Sequence, residues 1–425
     1  MTDHDRESSG NESPDAGDDH RPERVTDSGG SGGAGAVPTV GQRTDVSLRG
    51  PAELADSLPY LLGFYPDDSI VVVALHGERG RFGARIRMGI PDTDEGWQAL
   101  APQLAECLDA TAQARGPRPD GAIVFLCQEP AEGESAGKEV MERFRPLIQR
   151  LRVACGELEM PVYEALCLSD GCYFSYCCPD PNCCHPDGMP LAAPGTSAMA
   201  AAATYAGVRV HGSLREMEKR FTALGPPFAD QQERILDAVG AALVQRMLTA
   251  EGRRQLCDDT MALAGNLLGR FHRSISAAAT QTAADAHDDG LLGHDEAAAM
   301  ILGLQDRRTR DRAAEWMEGV DVSPALRLWR ALARRCVGRY DGHAAALLAL
   351  AGWVAWSGGD VATARVALGK ALRADPDYLF AQLLHQACNE GLDPELLRRC
   401  MREERRLREA ADSDDEPDPS WDTAP

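Results

Sequence analysis

The sequence lacks a long apolar stretch and is short of positive charge. No run of about 18 apolar residues occurs among its 425 residues, so a transmembrane helix is not expected. Its 66 Asp and Glu residues outnumber its 44 Lys and Arg residues, and the formal net charge is −22. A surface of this sign repels phosphate backbones and anionic lipids. We therefore expect neither nucleic acid nor a membrane as a partner.

Familiar catalytic patterns are also missing from the sequence. It contains no His-Glu-x-x-His, Gly-x-Ser-x-Gly, phosphate-loop or dinucleotide-binding glycine pattern, and each of these would indicate a particular chemistry. The first 20 residues are acidic and carry no apolar segment, so neither a secretory signal nor a transit peptide is expected. We therefore expect a cytoplasmic protein with reduced thiols, and an enzyme is not favoured.

Composition divides the chain into four parts. Residues 1–44 are rich in Asp, Ser, Gly and Pro, and residues 409–425 are strongly acidic. Neither end offers enough apolar surface to offset the entropy of ordering, so both are predicted to be disordered. Between them we predict an α/β domain over residues 45–212 and an all-α domain over residues 213–408.

Hydrophobic patterns predict the α/β domain. The runs Ser69–Leu75 and Gly121–Cys127 are apolar and β-branched, as in buried central strands. Phe82–Met88 alternates apolar and polar residues, which is typical of a strand with one solvated face. Helical patterns cover residues 94–115 and 135–156. Strands that alternate with helices indicate a mixed sheet with helices on its faces.

Two further features complete this domain. A short helix is predicted over Pro51–Leu58, with its proline at the first helical position. The segments "PVYEALCL" and "GCYFSYC" are predicted to be strands, and Ser169-Asp170-Gly171 between them is a hairpin turn signal. "YPDDS", which ends at Ser69, is interpreted as a turn.

The second half shows helical periodicity from about Ser213 onward. Ala345–Tyr378 resembles one tetratricopeptide unit, because two helices are joined by Gly358-Gly359-Asp360 and small residues recur where they must approach. Such a unit is either part of a peptide-binding groove or a helical pair packed on its neighbours. Because solenoids need about three repeats and one full unit is visible, the packed pair is favoured.

A cysteine-rich segment, "CYFSYCCPDPNCCHPDG" at Cys172–Gly188, carries the densest chemistry. Pro179 favours an extended Cys178, and Asp180-Pro181-Asn182-Cys183 is a strong β-turn sequence. We therefore expect Cys178 and Cys183 to face each other across a tight reversal.

Three interpretations of this segment remain open. In the first, zinc is bound, because thiolates and imidazole suit that metal; the candidate ligands are Cys178, Cys183, Cys184 and His185, with Cys172 or Cys167 as a further thiolate. In the second, Cys178 and Cys183 form a reversible disulfide. In the third, the cysteines act as small apolar residues in a buried turn.

Other concentrations of side chains have simpler interpretations. The cluster Arg307, Arg308, Arg310 and Arg312 is predicted to be a solvated helix face, with Asp306 and Arg310 one turn apart. Helical spacing predicts that Trp329, Trp353 and Trp356 lie in the core. His272 and His385 stand alone on predicted helices and indicate no site.

Three stretches resemble one known family. They are "LRGPAELADSLPYLLGFYPDDSIVVVAL", "SYCCPDPNCCHPDGMPL" and "AWSGGDVATARVALGKALRADPDYLFAQLL". Together they resemble the actinobacterial family catalogued as domain of unknown function 4192, from about Ser47 to Arg402. The resemblance implies the fold boundaries and carries no established activity.

Two function hypotheses follow. The first is a non-enzymatic binding or scaffold protein that acts through its helical domain or the interdomain cleft, with a protein partner. The alternative is an enzyme or a zinc or redox module centred on Cys178–His185. The first expects an exposed groove, and the second expects those side chains to converge on one point.

Overall fold

The computed structural model describes Leu48 and residues 50–91, 93–131, 136–180 and 182–414. The ends predicted to be disordered, residues 1–44 and 409–425, lie outside the described part except for residues 409–414. These residues continue the last helix to Asp414. The end of the helical domain at residue 408 stays a prediction.

The first half forms a mixed sheet, as the sequence predicts, and this sheet has six strands in the described part of the chain. Its strands are β1 (Ser69–His76), β2 (Arg81–Gly89), β3 (Gly121–Cys127), β4 (Val162–Ser169), β5 (Cys172–Ser175) and β6 (Met189–Pro190). They lie in the order β2-β1-β3-β4-β5-β6. The pair β3–β4 is parallel and the other neighbours are antiparallel. The two-residue β6 has no counterpart among the predicted strands.

Four helices accompany the sheet: α1 (Pro51–Leu62), α2 (Asp94–Gln113), α3 (Gly137–Glu157) and α4 (Ala198–Tyr205). The prediction ended α1 at Leu58, before Pro59, and this was wrong. The helix continues through buried Pro59 and ends at Gly63, which has a left-handed φ of +86°. Burial of Leu58 and Leu62 in the core offsets the backbone hydrogen bond that a proline cannot donate.

Two clusters of buried side chains cover the two faces of the sheet. On one face, Ile70, Val72 and Val124 pack with side chains of α2 and α3. On the other face, Val71 and Phe125 belong to a cluster that also includes α1 and the helical second half. Every residue of β3 is buried, so the central-strand prediction is confirmed. The pleat directs alternate residues to opposite layers.

The second half is helical. Its α-helices are α5 (Leu214–Lys219), α6 (Phe228–Met247), α7 (Ala250–Arg273), α8 (Gln281–Gly290), α9 (His294–Gly303), α10 (Arg307–Ala313), α11 (Val322–Arg334), α12 (Ala344–Ser357), α13 (Val361–Ala374), α14 (Leu379–Glu390) and α15 (Glu395–Asp414). Short 3₁₀ turns cover Gly319–Asp321 and Gly338–His343. Among the described residues, no helix has the length and apolarity needed to cross a membrane.

The arginine-rich stretch differs in detail from its prediction. Asp306 does not pair with Arg310; its carboxylate accepts from the backbone N–H of Thr309 at 2.9 Å and begins α10 as an N-cap. Arg310 instead pairs with Asp311 and lies over the ring of Phe380, 4.5 Å from its centroid. An N-cap residue has non-helical backbone angles. Asp306 therefore does not lie on a continuous helix one turn before Arg310, as the sequence predicted.

The helices α12 and α13 form the pair predicted for Ala345–Tyr378. A Cβ added to Gly352 would lie 2.6 Å from Leu368, so the small residue is needed where the helices meet. Every residue of α12 is buried, including Trp353 and Trp356. Because one buried cluster includes strands of the sheet and these helices, the division into two domains at residue 212 stays a prediction.

Candidate functional site

The cysteine segment forms a reversal that we call the thiol turn, residues 176–188. It follows β5, and the backbone N–H of Cys178 donates to Ser175 Oγ at 2.9 Å. The hydroxyl of Ser175 in turn donates to Glu164 Oε1 on β4 at 2.8 Å. The carbonyl of Asp180 accepts from the N–H groups of Cys183 at 3.1 Å and Cys184 at 2.9 Å. The turn is therefore fixed to the sheet through hydrogen bonds of its own backbone.

Three sulfur atoms converge in this turn. The Sγ atoms of Cys178, Cys183 and Cys184 all lie within 4.8 Å of one another. The separation between the Sγ atoms of Cys183 and Cys184 is 4.0 Å. The prediction that Cys178 and Cys183 face each other is therefore confirmed, and both are free thiols.

The remaining predicted ligands lie outside this sulfur group. His185 is exposed, and its Nδ1 accepts from the backbone N–H of Asp187 at 3.2 Å. Cys167 is buried on the face of the sheet that α3 covers, and Cys172 packs against the same cluster. Of the four candidate ligands, the structure thus brings together the three cysteines and separates the histidine from them.

The three thiols influence one another. Burial, followed by hydrogen bonds with Cys178 and Cys183, raises the pKa of the Cys184 thiol to about 12. A thiol with this pKa is protonated at neutral pH and is a poor nucleophile. The structure therefore does not support an activated nucleophilic cysteine at Cys184.

A second candidate site lies at another edge of the sheet, and sequence reasoning missed it. It is a cavity of about 210 Å³ that we call the sheet-edge cleft. It lies where β3 and β4 end, beside the start of β1, because Ser69 pairs with Cys127 and Cys127 pairs with Leu168. Carboxyl ends of parallel strands are the usual place for a ligand in an open sheet.

The polar side of the cleft is mainly acidic. Asp56, Asp67, Asp68 and Glu129 line it, together with Arg215 of α5. Four carboxylates thus surround one guanidinium among the described lining residues.

The acidic side chains are held in defined positions. Asp68 accepts from Arg215 Nε and from Gln128 Nε2, both at 2.8 Å. Asp68 also has a left-handed φ of +44°, a conformation that aspartate tolerates better than most residues. Glu129 Oε2 accepts from the backbone N–H of Asp170 at 3.0 Å. Polar groups fixed in this way can meet a ligand without reorganising.

The inner side of the cleft is apolar except at one point. Leu58, Leu168 and Leu191 line it beside the buried thiol of Cys127. Ser169 also lines it; this residue is 1 % exposed, and its buried Oγ has no hydrogen-bond partner among the described residues. Buried hydroxyls are normally hydrogen-bonded, but this oxygen has almost no accessible surface, so a ligand in the cleft would reach it only if neighbouring side chains moved.

The signal for the cleft lies in separate pieces of the sequence. "YPDDS" ends at the first residue of β1, Gln128-Glu129 follows β3 directly, and Ser169 ends β4. Each piece alone has the composition of a turn. Only the pairing of the three strands, with the parallel pair at its centre, shows that these polar residues meet at one edge.

Comparison with known proteins gives the family. No curated protein and no solved structure matches the chain. The model of one family matches residues 51–395, which span the sheet, the thiol turn, the cleft and most of the helical half. The chain belongs to the family described as Domain of unknown function (DUF4192).

Proposed function

We propose that the protein is a binding protein that takes a small, positively charged organic molecule into the sheet-edge cleft. The observation that supports this most directly is the set of four carboxylates that line a cavity at the carboxyl ends of β3 and β4, counted among the described residues. An acidic cluster alone is common on a protein surface. Here the carboxylates of Asp68 and Glu129 are held by hydrogen bonds beside a cavity that also has an apolar side, and this combination is typical of a small-molecule site.

The negative charge of the cleft favours a ligand with a positive charge. Arg215 contacts Asp68, so Asp56, Asp67 and Glu129 carry the excess negative charge of the cleft. Two opposite unit charges 4 Å apart attract by about 1 kcal/mol in water and about 4 kcal/mol near a protein surface. An ammonium or guanidinium group therefore gains stabilisation here, and a carboxylate or phosphate is repelled.

The apolar side of the cleft favours a ligand that also has a hydrocarbon group. Leu168 and Leu191 are partly exposed and give an uncharged hydrocarbon group a surface to contact, and burial of apolar area contributes about 25 cal/mol per Å². Tyr60 also lines the cleft, and aromatic faces attract cations. Burial, and then the charge of Asp56, raises the pKa of Tyr60, so its hydroxyl stays protonated at neutral pH.

The location agrees with one form of the first function hypothesis. Arg215 comes from α5, on the far side of the predicted boundary, whereas the other lining residues precede residue 212. The other form, a peptide groove on the helical half, has less support. Every residue of α12 is buried, so this first helix of the tetratricopeptide-like pair presents no exposed face to a peptide.

The test compares two probes that differ in charge. Phenethylamine and 3-phenylpropanoate share a phenyl ring and differ in the sign of the head group. We expect the amine to shift the amide resonance of Ser169 in a ¹⁵N-labelled protein and the acid to leave it unchanged. If the acid binds as tightly as the amine, or the amine leaves the cleft resonances unchanged at millimolar concentration, the proposal is wrong.

A charge-neutral variant sharpens the test. The double variant Asp56→Asn, Glu129→Gln removes two negative charges from the cleft. We expect it to weaken amine binding about tenfold, which corresponds to about 1.4 kcal/mol. The matched control is Glu106→Gln on α2, an exposed carboxylate outside the cleft lining, and it is expected to bind the amine as the unaltered protein does. An equal affinity in all three proteins contradicts the proposal.

A further inference from the structure

We propose that Cys178, Cys183 and Cys184 bind one zinc ion as three thiolates, with a water molecule at the fourth position. The proposal does not depend on the cleft, because Glu164 and Ser175, which anchor the thiol turn, lie at the opposite end of the β4–β5 hairpin from Ser169. The two proposals therefore fail or succeed separately.

The sulfur positions already approach those of a zinc site. With a Zn–S bond of about 2.3 Å and tetrahedral angles, two thiolates on one zinc ion lie about 3.8 Å apart. The Sγ atoms of Cys183 and Cys184 are 4.0 Å apart, and all three sulfurs lie within 4.8 Å of one another. Small side-chain rotations therefore complete the set without movement of the backbone.

The backbone of the turn supports this arrangement. Asp180 accepts from the N–H groups of Cys183 and Cys184, and its Oδ1 accepts from the N–H of Asn182 at 2.9 Å. Gly188 closes the turn against the sheet, where its N–H donates to the carbonyl of His185 at 2.9 Å. Because these bonds use main-chain groups and one aspartate, the three sulfurs stay available to a metal.

Zinc accounts for the sulfur group better than a disulfide does. A disulfide has an S–S bond of about 2.05 Å and uses two sulfurs, so the third thiol beside it would have no role. Soft thiolates suit zinc, and a zinc ion takes up all three. On binding, each thiol releases its proton to solvent, and zinc keeps its oxidation state.

The proposal changes the ligand set expected from the sequence. His185 is left out of the ligand set because neither of its ring nitrogens belongs to the group of ligand atoms that lie within 4.8 Å of one another. Part of the site is exposed, since Cys183 is exposed, so solvent reaches the fourth position. Three protein ligands and one exchangeable water are the arrangement of zinc sites that bind or activate a further molecule.

The experiment measures zinc in the full-length protein, prepared without a polyhistidine tag, reduced, incubated with zinc and dialysed. We expect one zinc ion per chain by native mass spectrometry. Cys184→Ser is expected to retain less than about a tenth of it, with Cys178→Ser as a second variant and circular dichroism as the check on folding. The control Cys107→Ser, at an exposed cysteine on α2, is expected to keep the full amount.

Cobalt substitution tests the number of ligands. Cobalt in the site should show thiolate charge-transfer absorption that disappears in Cys184→Ser and is unchanged in His185→Ala. Less than stoichiometric zinc in the unaltered protein overturns the proposal, and so does zinc retained by the triple variant with serine at positions 178, 183 and 184. Loss of zinc in a folded His185→Ala protein overturns the three-thiolate site.

Discussion

The thiol turn and the sheet-edge cleft concentrate chemistry in opposite ways. The thiol turn draws its sulfurs from a segment of seven positions, Cys178 to Cys184, and holds them with short-range backbone bonds. The cleft is assembled from α1, the start of β1, the ends of β3 and β4, the segment after β6, and α5. The first site depends on one local turn, whereas the second depends on the whole sheet.

The thiol turn and the sheet-edge cleft also differ in the chemical groups that they offer to a ligand. The thiol turn offers soft sulfur ligands, and burial together with neighbouring thiols raises the pKa of Cys184 to about 12. The cleft offers charged carboxylates beside apolar side chains. A soft metal suits the first set and an organic cation suits the second, so the two regions are expected to respond to different perturbations.

Alkylation should show the largest difference between the regions. Cys183 is exposed, whereas Cys127 in the cleft is buried. Burial, followed by the charge of Cys167, raises the pKa of Cys127 well above its usual range. In reduced, metal-free protein at about pH 8 we expect iodoacetamide to modify Cys183 on the order of 100-fold faster than Cys127 or more, as followed by peptide mass spectrometry.

Two further cysteines calibrate this measurement. Cys107 and Cys400 are exposed and lie outside both regions, so they should react at rates close to that of Cys183. Comparable rates for Cys127 and Cys183 would show that the cleft opens freely, and would remove the contrast between a rigid interior site and an accessible turn.

Substituting one glycine by alanine in each region should give the next largest effect, a difference in the free energy of unfolding. Gly188 in the thiol turn has φ +91°, and a Cβ there would lie 2.7 Å from Phe174 and 3.0 Å from Cys172 Cβ. Gly171 beside the cleft has φ +67°, and a Cβ added there would meet no described atom within 4 Å. We expect Gly171→Ala to cost about 1–2 kcal/mol from backbone strain, and Gly188→Ala to cost about 1–3 kcal/mol more from the clash.

Urea denaturation of the two variants measures this difference. Equal losses would mean that the thiol turn moves away from Phe174 without cost. In that case the turn is not fixed to β5, and its sulfur geometry is not inherited from the sheet.

The sheet was largely predictable because its strands carry local patterns. The run Gly121–Cys127 is apolar throughout and is buried throughout. Phe82–Met88 alternates, and β2 shows alternating exposure at the sheet edge. The hairpin at Asp170-Gly171 adopts the left-handed angles that its sequence indicates, with φ of +51° and +67°. In each case neighbouring residues determine the conformation, so the sequence contains the information.

The remaining features depend on distant residues. Pro59 lies inside α1 because the core stabilises the helix on both sides of it. Asp306 is the N-cap of α10, whereas the sequence predicted that it lies on the helix one turn before Arg310. The cleft requires Ser169 and Arg215 to meet, and no local pattern carries that information. The convergence of the cysteines was predictable because they are close together in the sequence. The separation of His185 from them was not predicted, because it depends on a hydrogen bond made by the His185 side chain.

Acid should weaken the contact between the end of α1 and the start of α13. The ring of His211 lies 3.0 Å from Asp360, while the backbone N–H of His211 donates to Gly63, which ends α1. Burial alone would raise the pKa of Asp360, but hydrogen bonds from His211 and from the N–H of Thr363 outweigh it, and the pKa is lowered. In the thiol turn, the corresponding interaction is the salt bridge between Lys138 and Asp187. It is solvent-exposed and contributes little to the free energy of unfolding.

The sign of this effect sets the pH window. A carboxyl group with a lowered pKa in the folded state stabilises the protein fully above its unfolded pKa of about 4, and this contribution is lost as pH falls through the folded value. Asp360 also caps α13, so Asp360→Ala should cost about 1–2 kcal/mol at about pH 7. Urea denaturation should show this difference shrinking below about pH 4. Glu106→Ala is the control, and a pH-independent difference contradicts the assignment.

Removing one buried oxygen atom of Ser169 should give the smallest effect on the free energy of unfolding, and its sign is opposite to the others. Ser169→Ala deletes the buried Oγ that lacks a partner among the described residues. An unsatisfied buried hydroxyl is destabilising, so the alanine variant should be more stable by up to about 1 kcal/mol in the absence of ligand. The matched control is Ser57→Ala, since the Ser57 hydroxyl is also buried but donates to Leu54 at 2.8 Å, and its loss should destabilise. A destabilised Ser169→Ala protein would mean that the hydroxyl already serves the fold, and the cleft would then resemble the thiol turn in being internally satisfied.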